Sequence, residues 1–280
     1  MEDKLLRDLI TRSLAEDLGD GDHSSQACIA GDSKGQAKLI VKQNGILAGI
    51  RVAREVFSNA DPKLGFKLFI EDGSSVKPGD IAFYVSGNTQ SILKSERLVL
   101  NIMQRMSGIA TSTNEYVARL NGLKTKILDT RKTSPGLRFL EKEAVRIGGG
   151  LNHRMGLYDM IMLKDNHIDF AGGIENAIKE TSEYLRSNNL NLKVEIEART
   201  IQDIERIISA GRIDRIMLDN FSIENTLAAM KLINGRYETE SSGGITLETI
   251  RSYAECGVDF ISVGALTHHI KSLDMSLKAF

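Results

Sequence analysis

Residues 192–220 read LKVEIEARTIQDIERIISAGRIDRIMLDN and contain one complete strand, helix and strand. The first apolar run covers residues 192–198, the second covers 215–220, and the segment between them is amphipathic. Two strands joined by a helix predict a parallel pair, because the crossover returns the chain to the same end of the sheet. This stretch therefore predicts an α/β fold.

The same unit recurs through the second part of the chain. Its strand ends are roughly 20 to 35 residues apart, the length of one strand-and-helix step. The predicted strands are KTKILDT, MIMLKD, LKVEIEA, RIMLDN, RYETES and FISVGA. Six such steps favour an α/β barrel, and an open doubly wound sheet is the alternative.

The chain up to about Gly108 has a different pattern. Its predicted strands are short, near AKLIVKQ, FKLFIED and IAFYVSG, with turn signals such as Asp72-Gly73 between them. A helical pattern follows over SILKSERLVLNIMQRMSG. This region is predicted to form a small α+β domain.

Composition narrows the classes of partner. With 36 basic and 37 acidic residues among 280, the net charge is -1, so no overall field attracts nucleic acid or an anionic membrane. The sequence has no GxGxxG motif and no GxxxxGKS or GxxxxGKT motif, which argues against Rossmann and Walker-type nucleotide sites. Any anion site must be local.

The two cysteines and the opening residues indicate the compartment. Cys28 and Cys256 lie far apart without zinc-ligand spacing, and we interpret both as packing residues in a reducing compartment. The opening MEDKLLRDLI is charged and amphipathic, unlike a secretory signal, and apolar runs fall short of the roughly 20 residues that span a bilayer. The expected location is the cytoplasm.

Every predicted barrel strand ends in polar, small or charged residues. In a parallel barrel the chemistry collects at the carboxyl ends of the strands, where the loops converge. The six ends are Thr130-Arg131-Lys132, Lys164-Asp165-Asn166-His167, Glu195-Ile196-Glu197, Asp219-Asn220, Ser242-Gly243-Gly244 and Val263-Gly264-Ala265.

The strand over residues 192–198 places two carboxylates inside the barrel. Strand alternation puts Glu195 and Glu197 on the face opposite the apolar side chains, so both point inward if the apolar face meets the helices. Buried charges need partners. Candidates at the same depth are Lys132, Lys164 and Asp219. A structural ion-pair layer inside the barrel is the alternative interpretation.

Two late strand ends are suited to a phosphate. Ser242-Gly243-Gly244 precedes the helical segment TLETIRSYAECG, and Val263-Gly264-Ala265 precedes the last helix. Small residues let backbone N–H groups and a helix amino end approach an anion. Each glycine turn alone could equally be an ordinary tight turn.

Five basic side chains flank the same mouth: Arg131, Lys132, Arg138, His153 and Arg154. Guanidinium groups form paired hydrogen bonds with carboxylates and phosphates, so the group predicts an anionic substrate. A solvated basic face is the alternative. The remaining histidines lack paired metal-ligand spacing and are interpreted as structural, namely His23, His167, His268 and His269.

Several runs resemble the quinolinate phosphoribosyltransferase family, the carboxylating nicotinate-nucleotide pyrophosphorylases. They are EDLGDGD, SERLVLNIMQRMSGIAT, DTRKTSPGLRFLEKEAVRIGGGLNHRMGLYDMIMLKDNH, VEIEA, IMLDN, SSGGI and GVDFISVGALTH, in the expected order over nearly the whole chain. The resemblance implies that quinolinate and 5-phosphoribosyl 1-pyrophosphate give nicotinate mononucleotide, pyrophosphate and CO2, with Mg²⁺, in NAD biosynthesis.

The resemblance also implies the architecture. An N-terminal α+β open sandwich domain is expected over residues 1–108, joined by the C-terminal tail at about 268–280. An incomplete α/β barrel, the phosphoribosyltransferase domain, is expected over 109–267. The expected assembly is a homodimer or an assembly of dimers, in which Arg97 is supplied across the interface to the partner's barrel.

Site roles carry over position by position. Arg131, His153 and Arg154 resemble the residues that hold the two quinolinate carboxylates. Lys132 and Lys164 resemble the catalytic lysines that contact the ribosyl pyrophosphate and the substrate.

Two carboxylates and a backbone cup complete the set. Glu197 and Asp219 resemble the catalytic carboxylates that face the ribose and its Mg²⁺, as metal ligands either directly or through water. The cup for the 5-phosphate is expected from Ser242, Gly243, Gly244 and Gly264, with Thr130, Val263 and Ala265 among the substrate-binding residues.

Two positions depart from the family pattern. Arg199 stands where some members continue the acidic alternation, which leaves open whether Glu195 or Glu197 faces the ribose. His23 replaces a threonine common after EDLGDGD.

The alternative functions are a paralogous barrel associated with molybdate transport and a non-catalytic sensor of a phosphorylated metabolite. The KDNH strand end and Arg97 favour quinolinate as the substrate.

Overall fold

A computed structural model describes residues 2–280 of the chain. Contacts within the chain divide it into two compact units. The first contains the residues up to 114, 134–149 and 269–280, and the second contains 115–133 and 150–268. The domain boundary between residues 108 and 109 stays a prediction.

The helices of residues 2–280 include one that is much longer than the rest. Their bounds are α1 (Glu2–Leu18), α2 (His23–Cys28), α3 (Ile50–Ala60), α4 (Thr89–Arg119), α5 (Arg138–Ile147), α6 (Asp165–Phe170), α7 (Ile174–Ser187), α8 (Ile201–Ala210), α9 (Ile223–Ile233), α10 (Ile250–Glu255) and α11 (Ala265–His268). Within this part of the chain, no helix combines the length and the apolar character needed to cross a membrane.

The strands are short, as the sequence predicts. Their bounds are β1 (Lys34–Val41), β2 (Gly45–Ile46), β3 (Gly65–Leu68), β4 (Ser75–Val76), β5 (Ile81–Asn88), β6 (Lys126–Leu128), β7 (Ile161–Leu163), β8 (Val194–Ala198), β9 (Arg215–Asp219), β10 (Glu238–Ser242), β11 (Phe260–Ser262) and β12 (Met275–Ala279).

The first unit is built on an antiparallel sheet in the order β12-β1-β5-β3. The last strand of the chain, β12, pairs with β1, so the C-terminal tail completes this sheet. Three aromatic rings form part of its core: Phe83 lies 6.0 Å from Phe57 on α3 and 4.5 Å from Phe66 on β3, centroid to centroid. The predicted α+β domain is confirmed.

The second unit contains a parallel sheet in the order β6-β11-β10-β9-β8-β7. All six predicted barrel strands are confirmed. The order follows the chain from β7 to β11 and then returns to β6, so the last strand pairs with the first, as barrel closure requires. β6 and β7 do not pair, and only a parallel bridge from Leu128 to Leu151 extends that edge. The sheet is an incomplete barrel rather than a doubly wound sheet.

Helix α4 runs past the point where the sequence pattern was expected to change. It continues through Gly108 to Arg119. A Cβ atom at Gly108 would lie 2.3 Å from the carbonyl oxygen of Lys271. The glycine is therefore required by a close backbone approach, and it does not end the helix.

The interpretation of both cysteines as packing residues is wrong for one of them. Cys256 is buried, but Cys28 is exposed. Cys28 is the last residue of the short helix α2, in which Ser25 is the buried residue.

Candidate active site

A cavity of about 770 Å³ opens at the carboxyl ends of the barrel strands. It gathers every predicted substrate-binding residue except Arg97. They are Thr130, Arg131, Lys132, His153, Arg154, Lys164, Glu197, Asp219, Ser242, Gly243, Gly244, Val263, Gly264 and Ala265. Cations from three loops and carboxylates from three strands, including Glu240 of β10, therefore share one space.

Lys164 and Glu197 form an ion pair at the mouth. The pairing of Leu163 with Ile196 in neighbouring strands brings the next residue of each strand together. Lys164 Nζ lies 2.6 Å from Glu197 Oε1, and the backbone N–H of Asp165 donates to Glu197 Oε2 at 3.1 Å. Glu197 is buried and Lys164 is partly exposed. Both oxygens of the buried carboxylate have partners, as its desolvation requires.

Asp219 ends β9 beside this pair. Its Oδ2 accepts a hydrogen bond from the side-chain amide of Asn220 at 2.9 Å. Burial, and then the negative charge of Glu197, raise the pKa of Asp219 above the usual aspartate value. This part of the cavity is thus a region of concentrated negative charge, which favours a cation or a developing positive charge.

Glu195 and Glu197 share a face of β8, as the alternation predicts, but they differ in depth. Glu197 lines the cavity, whereas Glu195 is fully buried beneath it. Glu195 Oε2 lies 2.8 Å from His153 Nε2 and 4.0 Å from the guanidinium of Arg215. The structural ion-pair interpretation therefore fits Glu195, and the active-site interpretation fits Glu197.

His153 is held between buried carboxylates. Its Nε2 lies 2.8 Å from Glu195 and 3.4 Å from Glu240. Burial by itself lowers the pKa of His153, but hydrogen bonds and charges from both carboxylates outweigh it and raise the pKa to about 9. The backbone N–H of Arg154 points at Nδ1 from 2.7 Å and favours the neutral ring. Two carboxylate charges outweigh one amide dipole, so the direction of the shift is upward.

Arg131 and Arg154 form the cationic wall of the cavity. Burial, and then the charge of Arg131, lower the pKa of the Arg154 guanidinium. Arg154 donates to the carbonyl oxygen of Met160 at 3.2 Å. The Nε of Arg131 is buried, and no group among residues 2–280 accepts its hydrogen bond. A buried donor without an acceptor, beside a second guanidinium, is suited to an anionic ligand.

Glycine is required at two points of the lining. Gly243 has φ +96°, and a Cβ atom there would lie 2.2 Å from the Asn220 side-chain oxygen. A Cβ atom at Gly264 would lie 3.0 Å from both Lys132 Cδ and His268 Nε2. These turns bring backbone close to the cavity, as a phosphate cup needs. The helix after the first turn is shorter than predicted, because α10 begins only at Ile250.

Two of the predicted cations lie elsewhere. Arg97 is exposed on α4 in the first unit and does not line the cavity. Arg138, predicted to flank the mouth, begins α5 in the first unit and does not line the cavity either. Neighbouring positions in the sequence placed Arg138 with Arg131, but the chain leaves the second unit at residue 134.

His268 was interpreted as structural, but it lines the cavity. It lies four residues after Gly264 at the end of α11, so one helical turn brings it back beside the glycine. That spacing is a signal that the sequence carries. His167 lies outside the cavity lining, and its Nδ1 accepts the backbone N–H of Lys164 at 3.0 Å. Arg199 also lies outside this lining, in an exposed pair with Asp169 at 2.9 Å.

The fold and the site define an α/β-barrel protein with one cavity lined by guanidinium, lysine and carboxylate groups. Two family models match the chain, the quinolinate phosphoribosyl transferase N-terminal domain over residues 22–107 and the C-terminal domain over 109–278. The chain belongs to the quinolinate phosphoribosyl transferase family.

Individual relatives agree with this assignment. The chloroplastic carboxylating nicotinate-nucleotide pyrophosphorylase of Arabidopsis thaliana is 46% identical over 288 residues, covering 98% of this chain and 82% of that protein. A probable carboxylating nicotinate-nucleotide pyrophosphorylase of Bacillus subtilis is 44% identical, covering 97% and 92%. The structure of the nicotinate-nucleotide pyrophosphorylase from Francisella tularensis superposes with a TM-score of 0.93 at 40% identity, covering 99% and 96%.

Proposed function

We propose that this protein transfers the phosphoribosyl group of 5-phosphoribosyl 1-pyrophosphate to quinolinate with decarboxylation. The products are nicotinate mononucleotide, pyrophosphate and CO2, in de novo NAD biosynthesis. One observation carries the proposal: a single cavity combines paired guanidinium groups, two lysines, three carboxylates and a glycine-lined turn. Family membership supports the same reaction.

Quinolinate is proposed to bind at the cationic wall. It carries two carboxylates on adjacent ring carbons, and Arg131 and Arg154 offer paired N–H donors to them. The buried Nε of Arg131, which has no acceptor among the described residues, is satisfied when a carboxylate binds. His153 contributes positive charge to this wall, because its raised pKa keeps the ring protonated at neutral pH.

The ribosyl pyrophosphate is proposed to bind on the opposite side. The turns at residues 242–244 and 263–265 offer backbone N–H groups to the 5-phosphate. Thr130 and Lys132 line the same space, and Lys132 passes close to Gly264. Lys132 and Lys164 are proposed to neutralise the leaving pyrophosphate.

The residues present fit a Mg²⁺ ion. Glu197 and Asp219 are close enough for the charge of one to raise the pKa of the other, and a divalent cation relieves that repulsion. Mg²⁺ commonly uses one or two carboxylates together with waters and substrate phosphates. Bound there, directly or through water, it would neutralise charge on the pyrophosphate.

The chemistry needs charge at fixed positions more than proton transfer. As pyrophosphate departs, positive charge builds on the ribosyl ring, and Glu197 and Asp219 stabilise it. When the bond to the carboxylate beside the ring nitrogen breaks, its electron pair stays on the ring carbon until a proton replaces CO2. The ring cation and the Arg131, Arg154 and His153 charges favour that intermediate.

A homodimer is proposed, in which Arg97 enters the partner's barrel mouth. Arg97 is exposed on α4, outside the cavity of its own chain. Mixing an Arg97→Ala chain with an Arg131→Ala chain tests the sharing, because each mixed dimer retains one intact site. Verified mixed dimers without any recovered activity would contradict it.

A cytoplasmic location is proposed as well, although the Arabidopsis relative is named chloroplastic.

A turnover assay tests the reaction. The purified protein, incubated with quinolinate, 5-phosphoribosyl 1-pyrophosphate and Mg²⁺, should release CO2 and nicotinate mononucleotide in equal amounts. Arg131→Ala should lower kcat/KM at least about 100-fold. Arg206→Ala, which removes an exposed cation paired with Glu175, is the matched control and should leave it unchanged. Turnover of nicotinate but not quinolinate, or binding without turnover, would contradict the proposal.

A further inference from the structure

Four charged side chains with little exposed area form a cluster at the floor of the cavity, here called the inner cluster: His153, Glu195, Arg215 and Glu240. His153 and Glu240 line the cavity, whereas Glu195 and Arg215 lie outside its lining. The four side chains are carried by the loop at residues 152–154 and by three adjacent strands. Arg215 lies 3.1 Å from Glu240 and 4.0 Å from Glu195, and both carboxylates face His153 Nε2. Two cations and two anions balance within one buried group, which is the condition for burying them.

The inner cluster reaches the substrate wall through one side chain. The backbone N–H of His153 donates to buried Asp129 at 2.8 Å, and its Nε2 meets Glu195. The backbone N–H of Arg154 lies 2.7 Å from Nδ1 of the same ring. The ring is thus placed by its contact with Glu195, and Arg154 is the next residue of the chain, so the position of His153 sets where the backbone of Arg154 lies.

The arrangement separates two kinds of residue. Arg154 lines the cavity and can touch a ligand, whereas Glu195 and Arg215 lie outside its lining. Of the two carboxylates, Glu195 lies closer to the ring, at 2.8 Å against 3.4 Å for Glu240, so it fixes where the imidazole sits. A distance of 2.8 Å is that of a charge-assisted hydrogen bond, which orients the ring as well as balancing its charge.

We propose that Glu195, supported by Glu240 and Arg215, is a positioning residue that acts through His153 to fix Arg154 for binding a dicarboxylate. The inference rests on the proposed function, since it assigns the dicarboxylate to Arg154. It adds two residues below the cavity, Glu195 and Arg215, and one in its lining, Glu240, to the residues proposed to touch substrate. It also implies that His153 orients the wall, in addition to contributing charge.

A metal ion is the competing use of this group. One ligand atom each from His153, Glu195 and Glu240 lies within 4.8 Å of the others. Arg215 already supplies positive charge to Glu240, and the contact from His153 to Glu195 has the length of a hydrogen bond. The geometry therefore favours an ion cluster without metal.

The test compares Michaelis constants for the two substrates. Glu195→Ala should raise KM for quinolinate about 10- to 100-fold, the factor expected for a lost hydrogen bond to a charged group, while KM for 5-phosphoribosyl 1-pyrophosphate stays within twofold. Glu195→Gln keeps an acceptor oxygen for His153, so its rise in log KM for quinolinate should be at most half of the rise caused by Glu195→Ala. If Glu195→Ala does not fold, a threefold or greater rise in quinolinate KM alone for Glu195→Gln decides the matter.

The matched control is Glu238→Ala. Glu238 lies on the same strand as Glu240 and contacts the same Arg215 at 3.0 Å, but it does not line the cavity. It should leave both Michaelis constants unchanged. Wild-type turnover is measured first, so its absence counts against the proposed function and not against the positioning role.

Three results would overturn the positioning role in an active enzyme. They are an unchanged quinolinate KM in both Glu195 variants, an equal rise in both Michaelis constants, and a Glu238→Ala variant that behaves like Glu195→Ala. One equivalent of metal that the wild type retains and Glu195→Ala loses would overturn the ion-cluster interpretation as well.

Discussion

Replacing Gly243 by alanine should lower the free energy of unfolding through two separate effects, backbone strain and a steric contact with Asn220. The residue has φ +96°, where an L side chain is strained by about 1–2 kcal/mol. The new Cβ would lie 2.2 Å from the Asn220 side-chain oxygen, so Asn220 must move. That movement breaks the 2.9 Å hydrogen bond from Asn220 to Asp219, a further loss of about 0.5–1.5 kcal/mol. The expected total is about 1.5–3.5 kcal/mol.

Comparison with Gly257→Ala isolates the effect of the contact with Asn220, because that control introduces only the backbone strain. Gly257 has φ +90°, and a Cβ atom there would meet nothing within 4 Å. The control should therefore lose about 1–2 kcal/mol, and urea denaturation should place Gly243→Ala about 1 kcal/mol below it. Because Asp219 loses its orienting partner, Gly243→Ala should also raise KM for 5-phosphoribosyl 1-pyrophosphate at least tenfold. Equal stability of the two variants, or an unchanged Michaelis constant, would refute this reasoning.

Three further outcomes follow from the cavity. Glu197→Gln should lower kcat about 10²- to 10³-fold with little change in Tm, because its partner Lys164 is partly exposed. Steady-state kinetics checks this result, and the control Glu175→Gln, in an exposed ion pair, should leave kcat unchanged. His268→Ala should raise KM for 5-phosphoribosyl 1-pyrophosphate about three- to tenfold and spare that for quinolinate, because a weak polar contact contributes about 1 kcal/mol. Folding raises the pKa of His153 from 6.5 to about 9, so the stability that the protonated ring contributes is complete below pH 6.5 and is lost as pH rises through 9. In urea denaturation, the free energies of unfolding of wild type and His153→Asn should therefore converge between pH 7 and pH 10. A constant difference between them would contradict the assignment.

The sequence predicted which residues meet better than how deeply each lies. Strand alternation has a period of two, so Glu195 and Glu197 had to share a face of β8. Their different depths depend on Arg215 and Glu240 from neighbouring strands, whose inward charges no local pattern of β8 reveals. The pattern within β8 therefore could not distinguish the depth of Glu195 from that of Glu197.

Misplaced positions have physical causes of the same kind. The helical pattern was followed only to Gly108, yet α4 continues past it, and close packing against Lys271 requires glycine at that position. Arg138 follows Arg131 closely in the chain, but residues 134–149 belong to the first unit. His268 has no local metal-ligand or catalytic motif, and only the closed turn of α11 brings it back to Gly264.

A structure of the protein with quinolinate bound tests the central claim most directly, namely that fixed charges in one cavity hold the substrate. Both carboxylates should lie about 2.7–2.9 Å from guanidinium nitrogens of Arg131 and Arg154, with the ring nitrogen directed toward the space between Lys164 and Asp219. Quinolinate bound elsewhere, or bound here with neither arginine in contact, would contradict the account.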